Sequence, residues 1–197
     1  MIVKRLLDLF LSVSGLIILS PLFLLISLWI KIDSKGPVFY RQVRVGKNME
    51  PFKIFKFRTM VHDPHGKGLQ LTTSDDKRIT RSGRFLRKTK LDELPQLINV
   101  LIGEMSLVGP RPEVPKYVRY YPEEVRKIVL SVPPGITDRA SLEFKNENEI
   151  LNLSKNPEKT YIDEILPVKL KYYVGYVENR TLLGDIKIII DTFWELI

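Results

Sequence analysis

Residues 9–30 form a long uncharged stretch that limits the folds open to this chain. A helix of twenty-two such residues rises 1.5 Å per residue and could just cross a bilayer core of about 30 Å. A cleavable secretory signal has a shorter apolar run, about 7–15 residues, and ends at a small-residue cleavage site. This run ends instead at Trp29, Ile30 and Lys31. We therefore expect the segment to stay in the protein.

Two features favour a re-entrant path for this segment over a simple crossing. Ser20 and Pro21 lie near its middle, where proline removes a backbone hydrogen bond and serine can satisfy the freed carbonyl. Basic residues, which prefer the cytoplasmic side, flank both ends, beginning with Lys4 and Arg5 before the run. We predict that residues 1–35 form a re-entrant membrane helix broken at Ser20-Pro21. A straight crossing is the alternative.

Composition excludes several kinds of site. The chain has no cysteine, so disulfides, thiolate metal sites and cysteine nucleophiles are ruled out. Its two histidines, His62 and His65, have no third ligand beside them, so we predict no metal site there. The net charge of +8 is concentrated in residues 41–90, which hold fourteen Lys and Arg against four Asp and Glu. Such a block suits nucleic acid, an anionic membrane surface or a phosphorylated substrate, and a solvated basic surface is the plainer alternative.

The rest of the chain predicts an α+β domain that is mostly helical. Short strands around 38–40 and 52–57, joined at Gly46, predict a β-hairpin. Further helices are predicted over 122–130, from Asn156 with an interruption at Pro167, and over 182–197. The last of these has a broad apolar face and could lie on the membrane interface or pack in the core. The fold class is thus a membrane helix followed by a small domain with a hairpin and amphipathic interfacial helices.

A helix with two carboxylates at its start is predicted over residues 92–103. Pro95 is tolerated only in a first turn and Gly103 is a typical stop, so Asp92 and Glu93 fall at the positive end of the helix, which favours anions. Asp92 could also be a simple N-cap. Further along, Pro110 and Pro112 bracket Arg111 in a stiff loop, where its guanidinium can bind phosphate through two parallel hydrogen bonds.

Several segments, read together in this order and spacing, carry a resemblance to a known family. The segments are FRTM at 57–60, RITRSGRFLRK at 78–88, LDELPQL at 91–97, GEMSLVGPRP at 103–112 and PGIT at 134–137. In these motifs the chain resembles the bacterial sugar transferases, the monotopic phosphoglycosyl transferases that begin lipid-linked glycan assembly. The likeness runs from the N-terminal apolar helix to about residue 141, and more loosely to the C-terminus.

The resemblance implies a re-entrant helix broken at Ser20-Pro21 and a two-step reaction. By likeness to the family's Asp-Glu dyad, Asp92 would attack the β-phosphate of a UDP-sugar and expel UMP, and the phosphosugar held on Asp92 would then pass to undecaprenyl phosphate. Glu93 would be the general base or an orienting partner. Mg²⁺ would be the cofactor, with Asp92 and Glu93 among its ligands. Residues 36–197 would form a catalytic domain on the cytoplasmic face of the bacterial inner membrane.

Phosphoryl transfer requires positioning and cations where negative charge accumulates, and the basic motifs supply such cations. Spacings of three would place Arg78, Arg81, Arg84 and Arg87 on one face if that stretch is helical. The substrate- and phosphate-binding residues we expect are Lys56, Arg58, Arg78, Arg87, Pro110, Arg111, Pro112 and Thr137. The expected partners are the UDP-sugar, undecaprenyl phosphate, the bilayer, a second copy of the chain as a homodimer, and downstream glycosyltransferases, but no nucleic acid.

One departure from the family pattern leaves the substrate open. Many relatives carry glycine and tryptophan after the PGIT motif, in a region thought to shape sugar or nucleotide recognition, whereas this chain has Asp138 and Arg139. Two other functions would each use part of these features. A membrane-anchored nucleic-acid-binding module would use the basic block but leaves the carboxylates and the Pro-Arg-Pro loop without a role. An inactive structural partner in glycan assembly would not need both Asp92 and Glu93.

Overall fold

The computed structural model describes residues 2–61, 76–144 and 147–196, and the predicted loop at 62–74 with its two histidines lies outside them. The described chain is mostly helical, as predicted, with two small sheets. Its helices and strands are α1 (Ile2–Asp33), β1 (Phe39–Val45), β2 (Pro51–Phe57), α2 (Arg81–Lys88), α3 (Gln96–Ile102), β3 (Ser106–Val108), α4 (Pro115–Val118), α5 (Glu123–Val129), β4 (Gly135–Thr137), α6 (Arg139–Glu143), α7 (Glu147–Leu153), α8 (Pro157–Thr160), α9 (Leu166–Asn179) and α10 (Leu182–Leu196).

Helix α1 continues through the Ser20-Pro21 pair, although we expected a break there. Pro21 has no N–H to donate to the carbonyl of Ile17, four residues earlier. The Ser20 hydroxyl donates to that same carbonyl oxygen at 2.8 Å. The predicted role of the serine is therefore confirmed. Because the substitute hydrogen bond keeps the carbonyl satisfied, the helix does not have to end at the proline.

Helix α1 lies along the rest of the chain with most of its apolar surface uncovered. It is long and apolar enough to cross a membrane, and only 11% of its most apolar 18-residue stretch is buried, whereas a core helix would be mostly buried. Near its start, Arg5 donates to the Val100 carbonyl of α3 at 2.7 Å. Near its end, Asp33 accepts from the backbone N–H and hydroxyl of Ser82 in α2. Both ends are thus held by the same domain.

The predicted hairpin is confirmed, and a second sheet was not foreseen. Strands β1 and β2 pair antiparallel with Phe39 opposite Phe57, and the connection after Gly46 turns through residues with positive φ. Strands β3 and β4 pair in parallel, immediately before the Pro-Arg-Pro loop and Asp138 respectively. A Cβ on Gly135 would lie 2.1 Å from the backbone nitrogen of Gly109, so this close approach of two backbones requires glycine.

The prediction that a helix begins at Asp92 is wrong. Residues Leu91–Glu93 form a separate 3-10 turn, entered through Lys90 in the left-handed conformation, and α3 begins only at Gln96. Asp92 is therefore not the N-cap. The reason is that Pro95 has no N–H and cannot form an α-helical hydrogen bond to the carbonyl four residues earlier. The chain therefore forms a 3-10 turn before Pro95, and the α-helix begins after it. Gly103 ends α3 in the left-handed conformation, as predicted.

The C-terminal helices form the main core with the segment after the Pro-Arg-Pro loop. Helix α5 matches the prediction over 122–130, and a π-helical turn precedes Pro167, where an interruption was predicted. Helix α10 buries Ile188 but leaves Phe193 62% and Trp194 71% exposed. The buried core side chains of this region include Val114, Tyr117, Val118, Tyr121, Val129, Leu151, Tyr161, Ile165, Leu166, Leu170 and Tyr173.

Candidate active site

The centre of the candidate site is the carboxylate of Glu93, which binds cations from two separate segments. Lys56 on β2 donates to Glu93 Oε1 at 2.7 Å. Arg111, in the loop after β3, binds both oxygens, through its Nη1 to Oε2 at 3.2 Å and through its Nη2 to Oε1. Burial by itself would raise the pKa of Glu93, but Arg111 and Lys56 outweigh it and hold that pKa well below its ordinary value. Glu93 is therefore an anionic anchor for two cations.

Asp92 has the opposite environment, although it is the neighbouring residue. Its exposed fraction is 8%, and within the described residues no group donates a hydrogen bond to its carboxylate. Burial raises the pKa of Asp92; the charge of Lys56 opposes this shift and the charge of Glu93 adds to it. A desolvated carboxylate without hydrogen-bond donors is more nucleophilic than a solvated one and is ready to accept an electrophile.

Arg87 completes the cationic surroundings of Asp92. It lies close enough for its charge to lower the pKa of Asp92, and its Nε donates to Thr59 Oγ1 at 2.8 Å, which fixes the direction of the guanidinium. Burial lowers the pKa of Arg87, while the Asp92 charge raises it. Of the predicted site residues, the structure thus brings together Asp92, Glu93, Lys56, Arg87 and Arg111.

The predicted common face of four arginines is wrong. Helix α2 begins at Arg81, so Arg78 lies outside it and pairs instead with Asp76, Nε to Oδ1 at 2.9 Å. Arg81 and Arg84 are exposed on the helix, and only Arg87 turns inward. The Thr80 side chain caps the start of α2, which leaves Arg78 outside the helix. Within α2 a step of three residues falls about 60° short of a full turn, so successive arginines move around the helix.

Two other predicted phosphate-binding residues have different neighbours. Arg58 is buried and donates to the backbone carbonyl of Ser34 at 2.6 Å and to that of Ile30 at 3.3 Å, so it holds the C-terminal end of α1. Thr137 shares a hydrogen bond of 2.6 Å with Thr192 of α10. Both side chains contact the scaffold through these bonds, and their predicted contact with phosphate stays a prediction.

The Pro-Arg-Pro loop is fixed by its main chain. The Pro110 carbonyl accepts from the Gly135 N–H at 2.9 Å, and the Pro112 carbonyl accepts from Arg44 Nη1 at 3.1 Å. The two prolines therefore act through the loop backbone, which directs Arg111 toward Glu93.

Sequence reasoning missed several residues that support this site. Asn99 of α3 accepts from the Phe55 N–H at 2.8 Å and donates to the Lys53 carbonyl at 3.1 Å, so it ties the helix after the dyad to the strand that carries Lys56. Buried Glu113 accepts from the hydroxyl of Tyr161 and from its neighbour's N–H. An asparagine in an apolar helical stretch was the signal available for Asn99, and Glu113 offered none.

The predicted magnesium ion would depend on the substrate for most of its ligands. Within the described ranges no group of three or more His, Cys, Asp or Glu side chains is arranged to bind a metal. Both oxygens of Glu93 accept hydrogen bonds from cations, so the carboxylate of Asp92 is the open oxygen ligand. Mg²⁺ commonly takes one or two carboxylates and completes its shell with substrate phosphates and water.

Comparison with known proteins identifies the family of this chain. The family model described as Bacterial sugar transferase matches residues 1–197, and the chain belongs to that family.

Relatives include the UDP-glucose:undecaprenyl-phosphate glucose-1-phosphate transferase of Xanthomonas campestris pv. campestris, 40% identical over 195 residues, which are 97% of this chain and 38% of the relative. The UDP-N-acetylgalactosamine-undecaprenyl-phosphate N-acetylgalactosaminephosphotransferase of Aeromonas hydrophila is 35% identical over 192 residues, 96% of this chain and 42% of the relative. The Uncharacterized sugar transferase EpsL of Bacillus subtilis (strain 168) is 38% identical over 189 residues, which are 96% of this chain and 84% of the relative. The chain thus spans about two fifths of the length of the first two relatives.

Proposed function

We propose that this protein is a phosphoglycosyl transferase that moves a sugar 1-phosphate from a UDP-sugar to undecaprenyl phosphate, the first membrane step of a surface glycan. Family membership supports the reaction class, and the names of the relatives support this donor and acceptor class. Since those names specify glucose in one case and N-acetylgalactosamine in the other, the sugar is left open.

The observation that carries the proposal is the contrast between the two neighbouring carboxylates. Glu93 is occupied by Lys56 and Arg111, whereas Asp92 has no hydrogen-bond donor within the described chain and has cations nearby. In the proposed first step, a carboxylate oxygen of Asp92 forms a bond to the β-phosphorus of the UDP-sugar. The bond from that phosphorus to the bridging oxygen breaks, and UMP leaves with the electron pair.

In the second step an oxygen of undecaprenyl phosphate attacks the same phosphorus, and the bond to Asp92 breaks. A phosphate monoester carries about −1.5 to −2 charges at pH 7, so the acceptor does not need a strong base. Glu93 has its pKa held low by two cations and is a poor proton acceptor. We therefore assign Glu93 as an orienting residue that keeps Lys56 and Arg111 where the diphosphate binds.

The cations offset the repulsion between an attacking carboxylate and an anionic diphosphate. Arg87 and Arg111 have planar guanidinium groups that suit phosphate oxygens, and Lys56 adds a third charge from β2. Asp92 would hold Mg²⁺ together with the substrate phosphates. When bound, this ion supplies charge neutralisation at the diphosphate.

We propose further that α1, although continuous, bends at Pro21 and so enters and leaves the same leaflet, with the domain on the cytoplasmic face. Arg5 and Asp33, at opposite ends of the helix, are both hydrogen-bonded to the same polar domain, which does not suit ends on opposite sides of a membrane.

Cysteine labelling tests this topology. The chain has no cysteine, so Ile2→Cys and Glu178→Cys give single labelling sites. Both should react from the cytoplasmic side only, and labelling of the first from the opposite side would mean a crossing helix.

The transfer proposal is tested by incubating the purified protein with a panel of UDP-sugars, undecaprenyl phosphate and Mg²⁺ while UMP release is followed. Asp92→Asn should abolish UMP release, whereas Asp163→Asn, at an exposed carboxylate on the π-helical turn, should leave it unchanged. When the reaction is run without undecaprenyl phosphate and then stopped, residue 92 should carry the added mass of the sugar phosphate. Continued turnover of Asp92→Asn, or product without this adduct, would refute the nucleophile assignment.

A further inference from the structure

Helices α9 and α10 enclose a cleft of about 600 Å³ that the proposed reaction does not use. Its walls are largely apolar and include Val168, Tyr172 and Ile188, while Asp92, Glu93 and Arg111 are absent from its lining. A cavity of this size is in the range of ligand pockets. It is therefore a second concave surface, separate from the carboxylate site.

A glycine in the middle of α9 keeps this cleft wide. Glycine inside a helix costs about 1 kcal/mol relative to alanine, so it calls for a reason. At Gly83 in α2 the reason is packing, since an added Cβ would lie 2.0 Å from the backbone oxygen of Thr59. At Gly175 an added Cβ would meet nothing within 4 Å, and Gly175 lines the cleft. The absence of a side chain at Gly175 therefore leaves the volume of the cleft open and is not required by close packing.

The cleft also has an unbalanced positive charge. Four basic residues line it, namely Arg139, Lys171, Arg180 and Lys187, and none of them forms an ion pair within the described ranges. The acidic residue of the lining, Asp185, already has a cationic partner elsewhere: Lys4 forms an ion pair with its Oδ2 at 2.7 Å, and the Tyr176 hydroxyl donates to its Oδ1 at 2.9 Å. An apolar wall beside unpaired cations suits an amphiphile with an anionic head.

Two observations place the cleft beside the apolar surface of the protein. Asp185 pairs with Lys4 in the first turn of α1, so one wall of the cleft is attached to the start of the proposed membrane helix. On α10, Lys187 lies among exposed apolar side chains. These are Leu183, Ile186, Ile190 and Phe193. A lipid chain leaving the cleft would meet these side chains.

We infer that this cleft binds one anionic glycerophospholipid of the bilayer. The phosphate head contacts the basic rim, above all Lys171 and Lys187 on the two facing helices, and one acyl chain lies against Gly175 and Tyr172. The bound lipid fills the space between α9 and α10 and fastens both helices to the membrane surface. This inference rests on the membrane apposition proposed above and is independent of the transfer chemistry.

The residues that line the cleft favour a bilayer phospholipid over undecaprenyl phosphate as the bound molecule. The acceptor phosphate has to reach the phosphorus held at Asp92, so it must lie beside Asp92 and Arg111. Neither residue borders the cleft. A phosphate held at Lys171 and Lys187 is therefore not presented for reaction.

The test is native mass spectrometry of the full-length protein in mild detergent, with phosphatidylglycerol and phosphatidylcholine added in equal amounts. We expect the protein to retain one phosphatidylglycerol in preference to phosphatidylcholine. Replacing both Lys171 and Lys187 by Gln should weaken this retention roughly thirtyfold. Gly175→Leu, which fills the cleft, should abolish it, whereas Gly175→Ala should retain the lipid.

Two controls separate lipid binding from general effects. Replacing Lys127 and Lys155 by Gln removes the same charge from exposed positions outside the cleft and should leave retention unchanged. UMP release in detergent should persist in all these variants, so loss of the lipid is distinguishable from failure of the transfer proposal. Equal retention of both phospholipids, undiminished retention in Gly175→Leu, or retention of undecaprenyl phosphate in place of phosphatidylglycerol would overturn the inference.

Discussion

Arg111 binds both carboxylate oxygens of Glu93, the residue next to the proposed nucleophile. This bidentate pair connects the loop after β3 to the 3-10 turn before α3, and Lys56 joins it from β2. The same pair explains why two adjacent carboxylates have pKa values shifted in opposite directions. One residue holds the cations in position, so the other is free to react.

Glu93→Gln should lower the rate of both half-reactions. The neutral amide cannot hold Lys56 and Arg111 in place, and misplacing groups that position a substrate costs about 10²-fold in rate. Single-turnover UMP release without acceptor measures the first step by itself. Glu164→Gln, at an exposed position, is the matched control. If Glu93→Gln kept a normal burst of UMP and slowed only the transfer to undecaprenyl phosphate, Glu93 would be the general base instead.

The dependence of kcat/KM on pH should report the ionisation of Asp92. This residue must be ionised to attack, and burial raises its pKa. Activity should therefore fall as the pH is lowered through a value above the ordinary aspartate pKa of 3.8. Glu93 stays ionised over this range because its pKa is held low. A profile of kcat/KM from pH 4 to 8 checks this expectation, and a kcat/KM that stays constant down to pH 4 would contradict it.

The same raised pKa predicts that the inactive variant is more stable. A group with a raised pKa in the folded state contributes stability below its unfolded pKa and loses that contribution as the pH rises through the folded value. At neutral pH the ionised Asp92 is therefore unfavourable for folding. Asp92→Asn should raise the Tm measured at pH 7.5. A lowered Tm would show that the nearby cations stabilise the charged form after all.

Arg58→Lys and Arg111→Lys should have different effects, although both residues were expected to bind phosphate. Arg58 bonds the last carbonyls of α1, so its replacement should lower the Tm and leave the KM for the UDP-sugar nearly unchanged. Arg111→Lys loses a bidentate geometry that lysine cannot reproduce, and kcat/KM should fall by about 10²-fold. Parallel thermal unfolding and UMP assays separate the two. An increase in the KM of Arg58→Lys for the UDP-sugar, with an unchanged Tm, would show that Arg58 binds the substrate.

Two glycine-to-alanine substitutions should change stability in opposite directions. At Gly135 the new methyl group meets the backbone of Gly109, so the parallel pair must separate, Arg111 is displaced, and the free energy of unfolding should fall by about 2–3 kcal/mol. At Gly175 the methyl group has open space, and alanine should stabilise α9 by about 0.5–1 kcal/mol. Urea unfolding followed by circular dichroism compares them. Stabilisation of Gly135→Ala would mean that the two backbones can move apart freely.

Much of the fold was predictable because its signals are local. The uncharged run at 9–30 marked α1, and the strand pattern around Gly46 marked the hairpin. The helix at Asp92 was mispredicted because one residue, Pro95, decides between an α-helix and a 3-10 turn over a few positions. The β3–β4 pair joins segments 29 residues apart along the chain, and strands of three residues carry too little periodicity to reveal such a contact.

The sequence by itself determined the family, the dyad and the choice of Asp92 as the candidate nucleophile, because these reside in motifs whose residues are near one another in the chain. Only the tertiary structure decided which cations serve the dyad. Lys56, Arg87 and Arg111 come from three distant segments, while Arg58 and Arg78, equally basic in the sequence, are bound elsewhere. Charge can be counted along a chain, but the distance between charges, which sets their interaction, exists only after folding.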